Sequence, residues 1–201
     1  MTNLFIFSND LRLEDNAALY NASLGRNGLE ALFLFNKDKW QLHYESPLKI
    51  KFQLNNLEII KEELDNLNIN LRVLSPKLDD ENKLILEEAL KINASKVFIN
   101  TEYGFNEKQR DENLRKLLAD NRIDLIEFDS SIINPKKIVT GAGTYFKVFT
   151  PYSRSFREEL NKEHLQCFPV PVKQQTKIGD SDEIPRFEPV SYTHLTLPTK
   201  A

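Results

Sequence analysis

The first 130 residues predict a doubly wound α/β domain, a parallel sheet of five strands with helices on both faces. Three observations carry this. Short apolar runs recur along the chain, a stretch with helical spacing follows each of the first four, and most runs are continuous rather than alternating. Continuous runs belong to strands covered on both faces. Strands that alternate with helices close into parallel sheets through right-handed crossovers.

The elements follow in order. "LFIF" (Leu4–Phe7) is the first strand, and a helix over about residues 16–25 follows it, with Asp15 or Asn16 placed to cap it. "ALFLF" (Ala31–Phe35) is the second strand. The clearest helix then starts with Ser46 as N-cap and Pro47 at the first helical position. Its apolar residues Ile50, Leu54, Leu57, Ile60, Leu64 and Leu67 recur at steps of three and four, which makes one buried stripe. "LRVL" (Leu71–Leu74), a helix over 81–92, "KVFIN" (Lys96–Asn100), a helix over 107–122 and "DLIEF" (Asp124–Phe128) complete the alternation.

In such a fold, ligands sit beyond the carboxyl ends of the strands, near the point where strand order switches. "NDLRLEDN" follows the first strand and "NTEYGFNE" the fourth, so both line that edge. The crowded charge of the first segment has an architectural explanation: a helix cap at Asp15 or Asn16, and Arg12 paired with a carboxylate.

Composition bounds the rest. With 40% hydrophobic and 28% charged residues the chain is globular rather than disordered. Cys167 is the only cysteine, which excludes an internal disulfide framework and points to a reducing interior. The opening apolar run is too short for a signal peptide or a membrane span. The expectation is a soluble cytoplasmic protein without membrane contact. Residues 1–130 carry a net charge of −6 and residues 131–189 a net of +2, so the first part is not a phosphate-gripping surface.

Residues 131–189 change character. Turn residues and aromatics lead to a short helical pattern from about Ser153. The proline-rich "FPVPVKQQTKIGDSDEIPRFEP" then reads as a crossing linker rather than core. "TGAGT" (Thr140–Thr144) lacks the lysine and spacing of a phosphate loop and reads as a turn. No G-x-G-x-x-G follows the first strand. His43, His164, His194 and Cys167 have no metal spacing, and no Ser-His-Asp set is visible. Neither a catalytic nor a metal-ligating residue is assigned.

Three segments together resemble the DNA photolyase and cryptochrome family. "FSNDLRLEDNAAL" is similar to its first-strand motif D-L-R-x-x-D-N-x-A-L, matched by Asp10, Leu11, Arg12, Asp15, Asn16, Ala18 and Leu19. "FINTEYGFNEKQRD" (Phe98–Asp111) and "YFKVFTPYSRSF" (Tyr145–Phe156) are similar to later segments, in the same order. Ser8 departs from the family, which usually has arginine there. The resemblance implies a two-domain flavoprotein. The α/β domain holds an antenna pigment, often 5,10-methenyltetrahydrofolate, and a helical C-terminal domain holds FAD and damaged double-stranded DNA. The antenna passes excitation to reduced FAD, which donates an electron to a cyclobutane pyrimidine dimer. The cofactor then carries the hard chemistry, in keeping with the missing triad.

Residue by residue, the family's folate contacts fall on Asn106 and Glu107. A carboxylate can accept two adjacent N–H groups of a pterin, and an amide can donate and accept. The plainer reading makes Asn106 a helix N-cap and sets Glu107 at the positive end of the helix dipole. Lys147, Phe149 and Tyr152 read as packing between domains, and Arg12, Asp15 and Asn16 as bracing of the strand edge. Alternatives within reach are a cryptochrome-type photoreceptor of the same fold and a stand-alone α/β nucleotide-binding module. Val190–Thr199 matches an in-frame translation of a transposase end plus sequencing adapter, so residues 190–201 are expected not to be native. Residues 131–189 would end the α/β domain and begin the interdomain linker. The FAD site would then lie outside this chain, the fragment alone would not repair DNA, and the full-length protein is expected to be a monomer.

Overall fold

The computed structural model describes residues 2–25, 28–78, 80–129 and 133–187. The Val190–Thr199 stretch lies outside them. Five strands, β1 (Thr2–Phe7), β2 (Leu29–Leu34), β3 (Asn70–Leu74), β4 (Ala94–Asn100) and β5 (Asp124–Phe128), form one sheet in the order β3-β2-β1-β4-β5. Every pairing is parallel. Strand order therefore reverses between β1 and β4.

Side chains alternate across the sheet and divide the core in two. Phe5, Phe7, Leu29, Ala31, Phe33 and Leu71 face helices α1 (Ala17–Ser23) and α3 (Pro47–Asn66). Leu4, Ile6, Leu32, Val97, Ile99 and Leu125 face α4 (Glu81–Lys91) and α5 (Phe105–Asp120). Burial on both faces is the reason these strands read as continuous apolar runs. The α3 stripe is buried from Ile50 to Leu64, while Leu67 packs at its margin. Ser46 holds the N-cap position of α3 without a side-chain cap bond, and Pro47 supplies the helical φ.

Two elements differ from the sequence reading. A short helix, α2 (Lys37–Leu42), follows β2, nucleated by Asn36, whose side chain accepts from the Lys39 amide at 2.9 Å. Helix α6 (Phe149–Glu159) starts four residues earlier than Ser153. Pro151 falls in its first turn, where backbone donors have no helical partner, so proline is tolerated. Thr140–Thr144 is the expected turn, closed by the Gly143 amide on the Thr140 carbonyl at 2.8 Å.

The proline-rich segment crosses the domain but also contributes to the core. We describe residues 168–187 as a strap. The Val172 amide donates to Ser23 Oγ at 2.8 Å, and buried Gln174 donates to the Ser23 carbonyl at 2.9 Å. Further on, Ser181 and Asp182 satisfy the outer edge of β3. The Leu71 amide donates to Ser181 Oγ at 2.9 Å, the Val73 amide to Asp182 Oδ2 at 2.9 Å, and the Asp182 amide to the Leu71 carbonyl at 2.8 Å. An open strand edge is a template for unwanted pairing, and here the chain covers its own. Ile184 then enters the α1/α3 core, and Phe187 meets Trp40 edge-on at 6.2 Å.

Candidate functional site

Asp10 and Asn16 of the charged segment after β1 form, with Asn100, a buried polar knot that joins three elements at the carboxyl edge of the sheet, while Arg12, Glu14 and Asp15 of that segment are exposed. Asp10 accepts from the Ser8 amide at 2.8 Å and from Asn100 Nδ2. Asn100, the last residue of β4, also donates to Asn16 Oδ1 at 2.8 Å and accepts from the Ala18 amide at 3.2 Å. Asn16 caps α1, its Oδ1 accepting from the Leu19 amide at 3.1 Å. Burial raises the Asp10 carboxyl above its ordinary range, against the lowering pull of Asn100, the Ser8 amide and Arg12.

Among the described residues Arg12 pairs with no carboxylate, contrary to the pairing that its position in the sequence led us to expect. Its Nε and Nη2 donate to the Asp15 carbonyl at 3.1 and 2.8 Å. Asp15 is held in the left-handed region at φ 50°, which turns that carbonyl toward the guanidinium. The Asp15 amide and carboxylate in turn bond the backbone of Phe168 at 2.9 and 3.3 Å. Arg12 and Asp15 thus fasten the start of the strap to the sheet edge.

Beyond the ends of β1, β2 and β4 opens a cleft of about 340 Å³. Its apolar base includes Ile6, Ile85, Ile99 and Leu114, and its rim includes Asn9, Trp40, His43, Gln53, Asn106 and Glu107. This volume suits a small planar ligand. Within the wall, Arg110 donates to Asp111 Oδ1 at 2.8 Å and to Glu102 Oε2 at 3.2 Å, and Glu102 Oε1 accepts from Asn9 at 2.7 Å. Burial opposes the Arg110 charge, but the two carboxylates outweigh it and hold its pKa above the ordinary value. Asp111 is raised by burial, with Arg110 pulling the other way.

Asn106 and Glu107 share the first turn of α5 on the cleft rim. The N-cap is Gly104, not Asn106, because Gly104 already has extended backbone at φ −63°, ψ 153° and the helix begins at Phe105. Glu107 is then three residues past the cap, where an acid faces the positive end of the helix. Its side chain folds back over Gly104: a Cβ there would lie 2.0 Å from Glu107 Oε2. Glycine at 104 therefore makes room for the carboxylate.

Lys147, Phe149 and Tyr152 form a separate patch. Tyr152 contacts Phe146, Phe149 and Phe156 at centroid distances of 6.3, 6.4 and 6.1 Å. Phe149 is 75% exposed and Lys147 is exposed. Tyr103 and Lys108, which bracket the α5 first turn, join Tyr145, Phe146 and Tyr152 around a second hollow of about 300 Å³. The sequence reading did not single out Asn9, Gln53, His43, Lys39 or Arg110 for the cleft. Nothing local sets any of them apart from the polar residues beside it, and only the packing of α2, α3 and α5 over the strand ends assembles them. Among the described residues no group of three or more His, Cys, Asp or Glu could hold a metal ion. No helix among them is long and apolar enough to cross a membrane.

The chain is a doubly wound α/β domain with a cleft at its topological switch point, the place where folds of this class hold their ligands. Its lineage is specific: the model of the DNA photolyase family matches residues 3–172, and the chain belongs to that family. It is 31% identical over 198 residues to the deoxyribodipyrimidine photo-lyase of Buchnera aphidicola subsp. Baizongia pistaciae, covering 96% of this chain and 41% of that protein. It is 28% identical over 191 residues to the deoxyribodipyrimidine photo-lyase of Escherichia coli K12, covering 91% and 39%. The chain thus spans about two fifths of these relatives. The fold is similar to that of a Synechocystis cryptochrome, with a TM-score of 0.76 at 21% identity over 94% of this chain and 39% of that one. A class III photolyase from Agrobacterium tumefaciens gives 0.72 at 21% identity, over 91% and 37%.

Proposed function

We propose that this chain is the antenna-binding α/β part of a light-driven deoxyribodipyrimidine photo-lyase, with 5,10-methenyltetrahydrofolate held at Asn106 and Glu107. The observation that carries this reading is the position of that pair on the rim of the cleft, with Gly104 leaving space for the Glu107 carboxylate. A pterin edge offers adjacent N–H donors, and a carboxylate accepts two in parallel while the neighbouring amide both donates and accepts. When bound, the folate supplies light absorption. This chain's own residues orient it and supply the apolar base beneath it. FAD and damaged DNA are handled by polypeptide beyond these residues, and Lys147, Phe149 and Tyr152 pack against that part. Curated relatives named for photolyase activity favour repair over photoreception as the role of the whole protein.

The test is Glu107→Ala in the full-length protein. Losing two bonds to a charged acceptor weakens binding by about 2–4 kcal/mol, some thirty-fold to a thousand-fold. Folate absorbance in the purified protein is expected to disappear. Full folate occupancy in the variant refutes the assignment.

A further inference from the structure

Helix α3 carries two apolar stripes, and only one of them meets the sheet. At about 100° per residue, Leu48, Phe52 and Ile59 stand roughly opposite Ile50 and the rest of the buried stripe. They are 79%, 71% and 59% exposed. A single exposed leucine needs no explanation, but three large apolar side chains aligned along one helix mark an interaction surface. Asn55, also exposed, lies on the same line between Phe52 and Ile59.

The charges beside this line point to what covers it. Lys49 and Lys51 lie in the first half of α3, and Glu58, Glu62 and Glu63 in the second. Lys61, the lysine of the second half, is half-buried on the inner side, near Asp65. Lys51, Glu58 and Glu62 flank the outer stripe on one side, Lys49 and Glu63 on the other. Lys49 pairs with Glu45 at 2.8 Å. Among the described residues Lys51, Glu58, Glu62 and Glu63 make no salt bridge within the chain. A helix that is basic early and acidic late, on both flanks of an apolar line, is complementary to itself run backwards. With two copies antiparallel about an axis near Asn55, Phe52 meets Ile59 of the second copy, and Lys51 meets its Glu58 and Glu62. Asn55 meets its own copy near the axis, where an amide can both donate and accept. A parallel pair would set Lys51 against Lys51 and Glu62 against Glu62, which repel.

We propose that the outer face of α3 docks a second copy of this chain in an antiparallel, two-fold symmetric pair. Polypeptide beyond this chain could also reach the stripe, but nothing ties a foreign surface to the reversed charge order of the helix itself. The contact is small. Stripes about 17 Å long bury less than about 1,200 Å² in total, at the low end of specific interfaces, which sets a dissociation constant on the order of 10–100 µM. The protein is then a monomer when dilute and a dimer when concentrated. The pairing uses neither Asn106 nor Glu107, so it stands or falls apart from folate binding.

Sedimentation velocity of the full-length protein from about 2 to about 200 µM tests this. A concentration-dependent dimer is expected, and Phe52→Ala should weaken it roughly tenfold or more. Lys51→Glu or Glu62→Lys sets like charges face to face twice, since the axis repeats every pair, and each should weaken the dimer about fivefold to tenfold. Combining Lys51→Glu with Glu62→Lys restores opposite charges across an antiparallel pair, and the double variant should return to within about twofold of wild type. All three positions are exposed, so these changes leave the fold intact. A wild-type protein still monomeric at about 200 µM overturns the proposal. Protection of Phe52 from hydroxyl-radical labelling in that monomer would assign the stripe to polypeptide beyond this chain. A dimer indifferent to Phe52→Ala, or a double variant as weak as either single one, overturns it as well.

Discussion

The knot of Asp10, Asn16 and Asn100 can be broken with one change of similar size, Asn100→Asp. Asn100 is 4% exposed, and its amide nitrogen donates to two acceptors, Asp10 and Asn16. The variant places a carboxylate oxygen where that donor stood, opposite the Asp10 carboxylate. Two unit charges about 3 Å apart repel by about 5 kcal/mol even at an effective dielectric of about 20. The cheaper course is for the pair to keep one proton. Holding a carboxyl of ordinary pKa about 3.9 protonated costs about 1.4 kcal/mol per pH unit, so about 5 kcal/mol at pH 7.5 and about 1.5 at pH 5. The folded variant then binds one proton more than its unfolded chain, so its stability falls as pH rises. Wild-type Asp10, itself raised by burial, has the same sign, and the difference between the two proteins isolates the added carboxyl. Urea denaturation from pH 5 to pH 7.5 should show a deficit that grows by roughly 3 kcal/mol. Asn100→Ala is the control: it loses about 3 kcal/mol for three bonds, and because Asp10 no longer has the lowering pull of Asn100 its deficit also grows with pH, but less than that of Asn100→Asp, which adds a second carboxyl. A deficit in Asn100→Asp that grows no more steeply than that of Asn100→Ala would refute the proton-sharing argument.

Further outcomes are expected elsewhere. Gly104→Ala drives a Cβ into the space of Glu107 Oε2 while leaving φ −63° open to alanine; the melting behaviour should move by less than about 1 kcal/mol, while folate occupancy in the full-length protein drops. Ile184→Ala removes a core side chain contributed by the strap, at a cost of about 2–4 kcal/mol in denaturant titration; a loss under about 1 kcal/mol would mean that the strap is not packed. Arg110→Met strands Glu102 and the buried Asp111, costing about 3–5 kcal/mol at neutral pH. Since Asp111 is already raised in the folded state and loses its cation, that deficit should shrink as pH falls and the carboxyl protonates, which a pH series of denaturation curves reads directly.

The layered architecture was legible in the amino-acid sequence alone. Continuous runs such as "LFIF" and "ALFLF" are the direct imprint of two-sided burial, and the Ile50–Leu64 stripe is that of a helix lying on a sheet. A cap at Asp15 or Asn16 was legible because capping is a local event between residues three apart, and the structure places it on Asn16. Only the tertiary structure decided matters that hinge on groups far apart in the chain. The sequence shows "NDLRLEDN" as crowded charge, but Asn100, 90 residues from Asp10, is what turns it into a knot. Arg12 finds a carbonyl rather than a carboxylate because Asp15 adopts a left-handed backbone, which no spacing rule announces. Pattern reading also made residues 168–189 a linker, since proline and polar residues carry no periodicity; in the described part, hydrogen bonds run to Ser23, Leu71 and Val73, over 100 positions away. Local signals record what a residue does to its own backbone, whereas a shared guanidinium, a covered strand edge and a cleft rim exist only once distant segments have been packed together.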